Sequence, residues 1–263
     1  MSEQQSPNQA RPTGPDRDRP ELSLIIPIFD EESVLEELLR RLAAFLPTLA
    51  TSWEVVFVDD GSQDTSAEII RRLRERDGHV RLVRLKANAG ETAATDAGFK
   101  AARGRTVVTM DADLQNDPAD IPRLLAQLDQ WDAVCGWRVS RGDGDSLVRR
   151  VSSRVGNRVR NWVSDETIQD SGCTFRAFRR ECLRGLTLYR GFHRFIPTLL
   201  RLRGYRIMEV PVAHRPRRFG RSKYGVMNRA FVALVDVLVV RWMKARALRY
   251  EVAEDLGGEA ASQ

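Results

Sequence analysis

Apolar runs of strand length alternate with stretches of helical period from Leu22 onward, and the regularity loosens after Trp137. Such alternation predicts an α/β fold, a mainly parallel sheet covered by helices. The strands expected are Leu22 to Pro27, Glu54 to Asp59, Val80 to Lys86, Thr106 to Asp111 and Ala133 to Trp137. Helices fall between them. Glu31 to Phe45 places Val34, Leu35, Leu38, Leu39 and Leu42 on one face, and Thr65 to Arg76 does the same with Ile69, Ile70 and Leu73, with Asp64 as its N-cap. A third helix runs through Ala101.

Beyond Trp137, a Gly and Asp loop at Arg138 to Asp145 leads into a helix from Ser146 to Val163. Its apolar positions recur about every turn, and the other face carries Arg149, Arg150, Arg154, Arg158 and Arg160. A solvated basic face is the ordinary reading of such a helix. A strand at Thr174 to Phe178, a helix at His193 to Leu202 and a strand at Arg206 to Val212 follow. The last helix, Val226 to Leu248, contains AFVALVDVLVV, 11 residues with Asp236 inside, far short of the ~20 needed to cross a bilayer. Flanked by Arg229, Arg241, Trp242, Lys244, Arg246 and Arg249, it reads as an amphipathic helix that lies on a membrane surface. A core or dimer helix with snorkelling ends is the competing reading.

Composition narrows the organisation. Residues 1–20, rich in Pro, Gln, Asp and Arg, lack an apolar h-region and are expected to be a disordered tail. Residues 21–225 form the expected catalytic domain, 226–249 the interface helix and 250–263 a flexible tail. Cys135, Cys173 and Cys182 show neither zinc spacing nor a secreted disulfide pattern. The net charge of +6 is concentrated: 13 Lys or Arg lie between Arg201 and Arg249 against Glu209 and Asp236. Nucleic acid, anionic lipid or phosphorylated substrates could all exploit that field. No helix-turn-helix, zinc or RNA-binding signature is present, which counts against specific nucleic-acid recognition.

Chemistry gathers at strand ends. TVVTMDADLQ stops at Asp111 and Asp113, with Gln115 beyond, hard oxygen ligands suited to Mg²⁺ or Mn²⁺ holding a diphosphate; a solvated turn is the bland alternative. The first strand ends PIFDEE, where proline is expected to stop the ladder and Asp30 and Glu31 to cap the following helix. The second ends Asp59-Asp60-Gly61-Ser62, two carboxylates where one suffices for a turn. The third leads to Asn88-Ala89-Gly90-Glu91. Carboxylates converging on one sheet edge repel unless they bind a cation or ligand donors. RRFGRSKYG, residues 217 to 225, has the donors of a phosphate clamp but not the order of a Walker loop. No GxGxxG follows the first strand, which counts against a dinucleotide enzyme.

Together PIFDEE, VVFVDDGSQDTS, NAGETAATDAGF, VVTMDADLQNDP, CGWR, DSGCTFRAFRRE and RRFGRSKYG resemble the inverting family 2 glycosyltransferases, in particular the polyprenyl-phosphate branch typified by dolichol-phosphate mannosyltransferase and undecaprenyl-phosphate sugar transferases. The resemblance runs from about Leu22 to Trp242. It implies a GT-A fold with a Rossmann-like sheet. It also implies that Pro27, Phe29 and Glu31 lie along the nucleotide and that Asp60 bonds the base. Asp111 and Asp113, with Gln115, would hold Mg²⁺ or Mn²⁺ and the nucleotide-sugar. Arg138, Arg149 and Ser153 match acceptor-phosphate positions, and Arg217, Ser222 and Lys223 match the RxxGxSK loop over the diphosphate. Asp30 stands where the family commonly has Asn.

The activity implied is transfer of a sugar from a UDP- or GDP-sugar to a polyprenyl phosphate for cell-envelope glycan synthesis. Asp113, Arg138, Arg217 and Lys223 are the expected catalytic set. The acceptor phosphate, with its second pKa near ~6, is already largely dianionic and needs no general base. Asp170 sits where other family 2 enzymes place a base for hydroxyl acceptors and is expected to orient Arg or sugar groups here. A transferase with a saccharide hydroxyl acceptor is the first alternative, and a non-catalytic nucleotide-sugar-binding scaffold a distant one. Many bacterial relatives continue into membrane spans. This sequence ends after the interface helix, so the resemblance implies peripheral attachment at most, and the expected location is cytoplasmic, on the cytoplasmic membrane face, with a separate membrane subunit or a homo-oligomer left open.

Overall fold

The structure, a computed structural model, describes residues 19–138, 168–215 and 227–248. The strands are β1 (Leu22–Ile28), β2 (Trp53–Asp59), β3 (Val80–Arg84), β4 (Thr106–Thr109), β5 (Ala133–Arg138), β6 (Arg176–Arg179) and β7 (Ile207–Val212). They form one seven-stranded sheet in the order β3-β2-β1-β4-β6-β5-β7. Only β6 runs against its neighbours, antiparallel to both β4 and β5; the other pairs are parallel. The α-helices are α1 (Glu32–Phe45), α2 (Ser66–Arg76), α3 (Glu91–Ala101), α4 (Ile121–Leu125), α5 (Arg180–Leu183), α6 (Ile196–Leu202) and α7 (Met227–Arg246).

Both faces of the central strands are covered, which explains their unbroken apolar runs. Leu24, Ile26 and Ile28 of β1 pack with Val55 and Phe57 of β2 beneath Val34, Leu35 and Leu38 of α1. Ile25, Val56 and Val58 face the other way, against Ala94 and Phe99 of α3 and Ile196 and Leu200 of α6. Side-chain alternation at period two thus feeds two cores from one pair of strands.

Several expectations need correction. Pro27 does not stop the ladder: β1 continues to Ile28, paired with Asp59, and the Asp60 N–H reaches the Ile28 carbonyl at 2.9 Å. Ile25 turns its carbonyl toward β4, accepting from Met110 N–H at 3.0 Å, and Pro27, two residues on, faces the same side. Pairing with β4 has already ended at Ile25 and Thr109, so the missing proline N–H costs no ladder bond. β4 accordingly ends at Thr109, leaving Met110 and Asp111 beyond it, and β3 ends at Arg84, before Lys86.

The strand expected at Thr174 to Phe178 is displaced to Arg176–Arg179. The helix expected from His193 opens as a 3₁₀ turn, Phe192–Phe195, and becomes α-helical at Ile196 with Pro197 in its first turn, where the absent N–H is tolerated. Glu31 makes no side-chain cap to α1. Instead Asp64 serves two helix starts, accepting from Ser66 N–H at 2.9 Å and Glu32 N–H at 3.1 Å. The predicted Ser146 to Val163 helix and both tails lie outside the described residues, apart from Arg19 and Pro20 at one end. Among the described residues no helix is long and apolar enough to cross a membrane.

Candidate active site

The carboxyl ends of β1, β2 and β4 meet on one edge. Three successive N–H groups after β1 are taken up by the β2 loop: Asp30 N–H by Ser62 Oγ at 3.0 Å, Glu31 N–H by Ser66 Oγ at 2.9 Å and Glu32 N–H by Asp64. Asp30 returns a bond, its Oδ1 accepting from Gln63 N–H at 2.8 Å. Its φ of 50° is left-handed, a conformation Asn and Asp tolerate better than other side chains. An Asp in place of the commoner Asn keeps both this backbone geometry and the acceptor. Pro27, Phe29 and Glu31 are half-buried along this turn.

Asp59 and Asp60, adjacent and buried, have separate duties. Asp59 accepts from Ser62 N–H at 2.8 Å and pairs with Arg84 Nε at 2.8 Å. Asp60 accepts from Ala89 N–H at 2.8 Å, Gly90 N–H at 2.9 Å and Asn88 Nδ2 at 3.0 Å. Two carboxylates are therefore needed because one closes its own turn and the other holds the Asn88 loop. Gly61, at φ 75°, lets these loops approach: a Cβ there would lie 2.7 Å from Ala87 C and Asn88 N.

Asp111 and Asp113 follow β4 in a segment where Leu114 is buried with φ 64°. A left-handed leucine is a backbone cost that marks a specialised loop. Asp113 Oδ1 accepts from Gln115 N–H at 3.2 Å. The Gln115 carboxamide nitrogen is committed to Arg215 O and His214 Nε2, both at 3.1 Å, leaving Oε1 as its ligand-capable atom. Arg215 N–H donates to Gln115 O at 2.9 Å and the Arg215 guanidinium pairs with Asp117. The acidic loop is thereby joined to the chain leaving β7, which leads into RRFGRSKYG. Among the described residues no three His, Cys, Asp or Glu side chains converge as a metal-ligating group.

Arg138, the last residue of β5, and Asp170 form a fork: Nε to Oδ2 at 2.6 Å and Nη2 to Oδ1 at 2.8 Å, with Arg138 N–H a further 3.3 Å contact. Burial opposes the Arg138 charge, but the Asp170 bonds and charge outweigh it and raise the pKa; Asp111 contributes in the same direction. Neighbouring Cys173 has its thiol pushed up to about 12 by burial, so it supplies no thiolate.

Sequence reasoning passed over two other groups. Arg176, 2% exposed, donates to His193 O at 2.7 Å and Ser171 O at 3.0 Å. His193 meets Thr92 Oγ1 at 2.8 Å and Glu91 Oε2 at 3.4 Å. Glu91 can only accept, so a neutral imidazole facing it carries its proton on Nε2 and leaves Nδ1 to accept from the Thr92 hydroxyl, whose oxygen also accepts from Gly191 N–H at 3.0 Å. Burial drives the His193 pKa down to about 3, aided by the Arg194 and Arg176 charges. Arg176, His193, Glu91, Pro27 and Asp111 line one narrow recess. Asp60 is not among its lining residues, and Arg149, Ser153, Arg217, Ser222 and Lys223 lie outside the described residues.

Residues 23–187 match the family described as Glycosyl transferase family 2. The chain belongs to that family. It is 39% identical over 225 residues to the dodecaprenyl-phosphate galacturonate synthase of Rhizobium johnstonii, covering 84% of this chain and 66% of the relative. To the undecaprenyl-phosphate 4-deoxy-4-formamido-L-arabinose transferase of Salmonella paratyphi A it is 38% identical over 208 residues, 79% of this chain and 63% of the relative. The chain thus spans just under two thirds of the length of these curated relatives. Its fold is similar to glucosyl-3-phosphoglycerate synthase from Mycobacterium tuberculosis with Mn²⁺ and UDP-glucose (TM-score 0.62, 20% identity, 86% of this chain and 79% of that one). It is also similar to a mannosyltransferase from Pyrobaculum calidifontis with GDP-mannose and Mn²⁺ (TM-score 0.59, 22% identity, 86% and 64%). The GT-A expectation therefore holds, with β6 as the antiparallel strand within an otherwise parallel sheet.

Proposed function

We propose that this protein transfers a sugar from a nucleotide diphosphate sugar to a polyprenyl phosphate. The observation that carries the choice of acceptor is the Arg138–Asp170 fork. A carboxylate with both oxygens on a guanidinium is a poor proton acceptor, because the neighbouring cation favours its ionised form. A hydroxyl acceptor needs a base; a phosphate dianion does not. Arg138, held charged and oriented, instead suits an anionic nucleophile. The names of the two curated relatives support the same acceptor class.

In this reading Pro27, Phe29, Glu31 and Asp60 border the nucleotide, and Arg217, Ser222 and Lys223 close over the diphosphate and offset charge on the departing nucleoside diphosphate. Arg138, Arg149 and Ser153 hold the acceptor phosphate for in-line attack at the anomeric carbon, inverting it. Asp111 and Asp113, with Gln115 Oε1, present oxygen donors that suit Mg²⁺ or Mn²⁺, the remaining ligands coming from diphosphate and water. When bound, such an ion supplies Lewis-acid stabilisation of the leaving group.

Attachment to the membrane fits α7. Val237 and Val240 are buried against Phe192, Phe195 and Leu199, while Val235, Leu238, Val239 and Trp242 are exposed. Arg241, Lys244 and Arg246 lie in the last turns of the same helix. Arg246 falls on the stripe itself, and a cation beside exposed apolar groups at the end of a helix suits an anionic lipid surface. Residues 21–225 then act as the catalytic unit and 226–249 as its anchor. The test is incubation with Mg²⁺ or Mn²⁺, undecaprenyl phosphate and radiolabelled UDP-glucose, UDP-N-acetylglucosamine or GDP-mannose. Label in the lipid extract supports the proposal; label only in hydroxyl acceptors overturns it.

A further inference from the structure

Between Asp111 and α3 a narrow recess, with room for a single water-sized group, has the buried Arg176 and His193 in its wall and Glu91 at its mouth. Arg176 spends two of its five N–H donors on carbonyls, and no described carboxylate forms an ion pair with it. A buried guanidinium with donors to spare calls for an acceptor. We propose that this recess reads one hydroxyl of a neutral donor sugar, with Arg176 donating to the hydroxyl oxygen and Glu91 accepting its proton. The inference rests on the donor reading above and adds the class of sugar.

The charges decide between a hydroxyl and a carboxylate. A hydroxyl both donates and accepts, matching a lining that holds both the donor Arg176 and the acceptor Glu91. A uronate carboxylate only accepts, is too large for the space, and would be pressed toward Glu91 and Asp111. His193 adds no positive charge, because it is buried beside Arg176 and stays neutral, with Nε2–H toward Glu91 and Nδ1 accepting from the Thr92 hydroxyl. It acts as a positioning residue for Glu91. Neutral sugars are therefore preferred over uronic acids, unlike the sugar named for the Rhizobium relative.

The test is binding of UDP, UDP-glucose, UDP-galactose, UDP-glucuronate, UDP-galacturonate, GDP and GDP-mannose to the full chain with Mn²⁺, using wild type and Glu91→Gln. Glu91 lies at the exposed start of α3, so this variant is expected to fold, which its melting curve checks. The expected result is that a neutral nucleotide-sugar binds more tightly than its own nucleoside diphosphate, and more tightly than either uronate. Glu91→Gln should weaken the sugar-bearing ligand at least about tenfold more than the bare diphosphate. Tighter uronate binding, or equal losses for diphosphate and sugar donor, overturns the recess assignment alone. No binding of any nucleotide or nucleotide-sugar overturns both it and the transferase reading.

Discussion

Replacing Asp170 by Asn removes the charge and one acceptor from the fork on Arg138. Both bonds are short, 2.6 and 2.8 Å, and the Asp170 and Arg138 side chains are only 6% and 22% exposed. Hydrogen bonds to charged groups in such settings contribute ~1.5–3 kcal/mol. At ~2–4 °C per kcal/mol for a domain of this size, the melting temperature of Asp170→Asn should fall by ~3–12 °C. If Asp170 only orients Arg138, the same energy bounds the loss in kcat/KM at ~10- to 150-fold. Arg138→Ala, which removes the group proposed to meet the acceptor, should lose more. The assay pairs thermal melts with initial rates on polyprenyl phosphate across pH. Refutation would be turnover abolished in Asp170→Asn at unchanged melting temperature, with Arg138→Ala the milder variant, the pattern of a lost general base.

Three further outcomes are expected. His193 is neutral in the folded protein with a pKa of about 3 against 6.5; below pH 6.5 the unfolded chain binds the extra proton, so stability is full above 6.5 and declines as pH falls toward 3. From pH 7 to 5 this amounts to ~2 kcal/mol, and melts of His193→Asn should show a correspondingly flatter pH dependence. Asp113→Asn should lose activity in proportion to metal affinity, with excess Mn²⁺ restoring part of it; a loss that no metal concentration relieves would contradict a ligand role. Trp242→Ala should weaken binding to anionic vesicles ~10-fold or more, from the side-chain area withdrawn from lipid, while leaving nucleotide affinity intact; unchanged flotation would favour a dimer face.

The elements legible in the sequence are those whose partners need not be known. β1 and β2 announce themselves because burial on both faces demands unbroken apolar runs, and α1 and α2 because one face must be apolar. β6 did not reveal its direction: RAFR carries the same signal either way, and its antiparallel pairing with β4 and β5 is set by where the chain returns. Helix α4 and the Pro118–Asp120 turn went unread because NDPADIP looks like a loop, although Asp117 accepts from Ala119 N–H and both prolines occupy first-turn positions. At the site, acidic strand ends were visible as motifs. The division of labour between Asp59 and Asp60, the pairing of Arg138 with Asp170 across 32 residues, and the meeting of Thr92 with His193 across 101 arise only when distant segments are brought together.

The most direct test of the proposed reaction compares two acceptors that differ only in their head group, undecaprenyl phosphate and undecaprenol, with one radiolabelled donor, and determines the anomeric configuration of the product. The phosphate reading predicts sugar on the phosphate lipid with inverted configuration and none on the alcohol. Comparable transfer to undecaprenol, or retention of configuration, would contradict it.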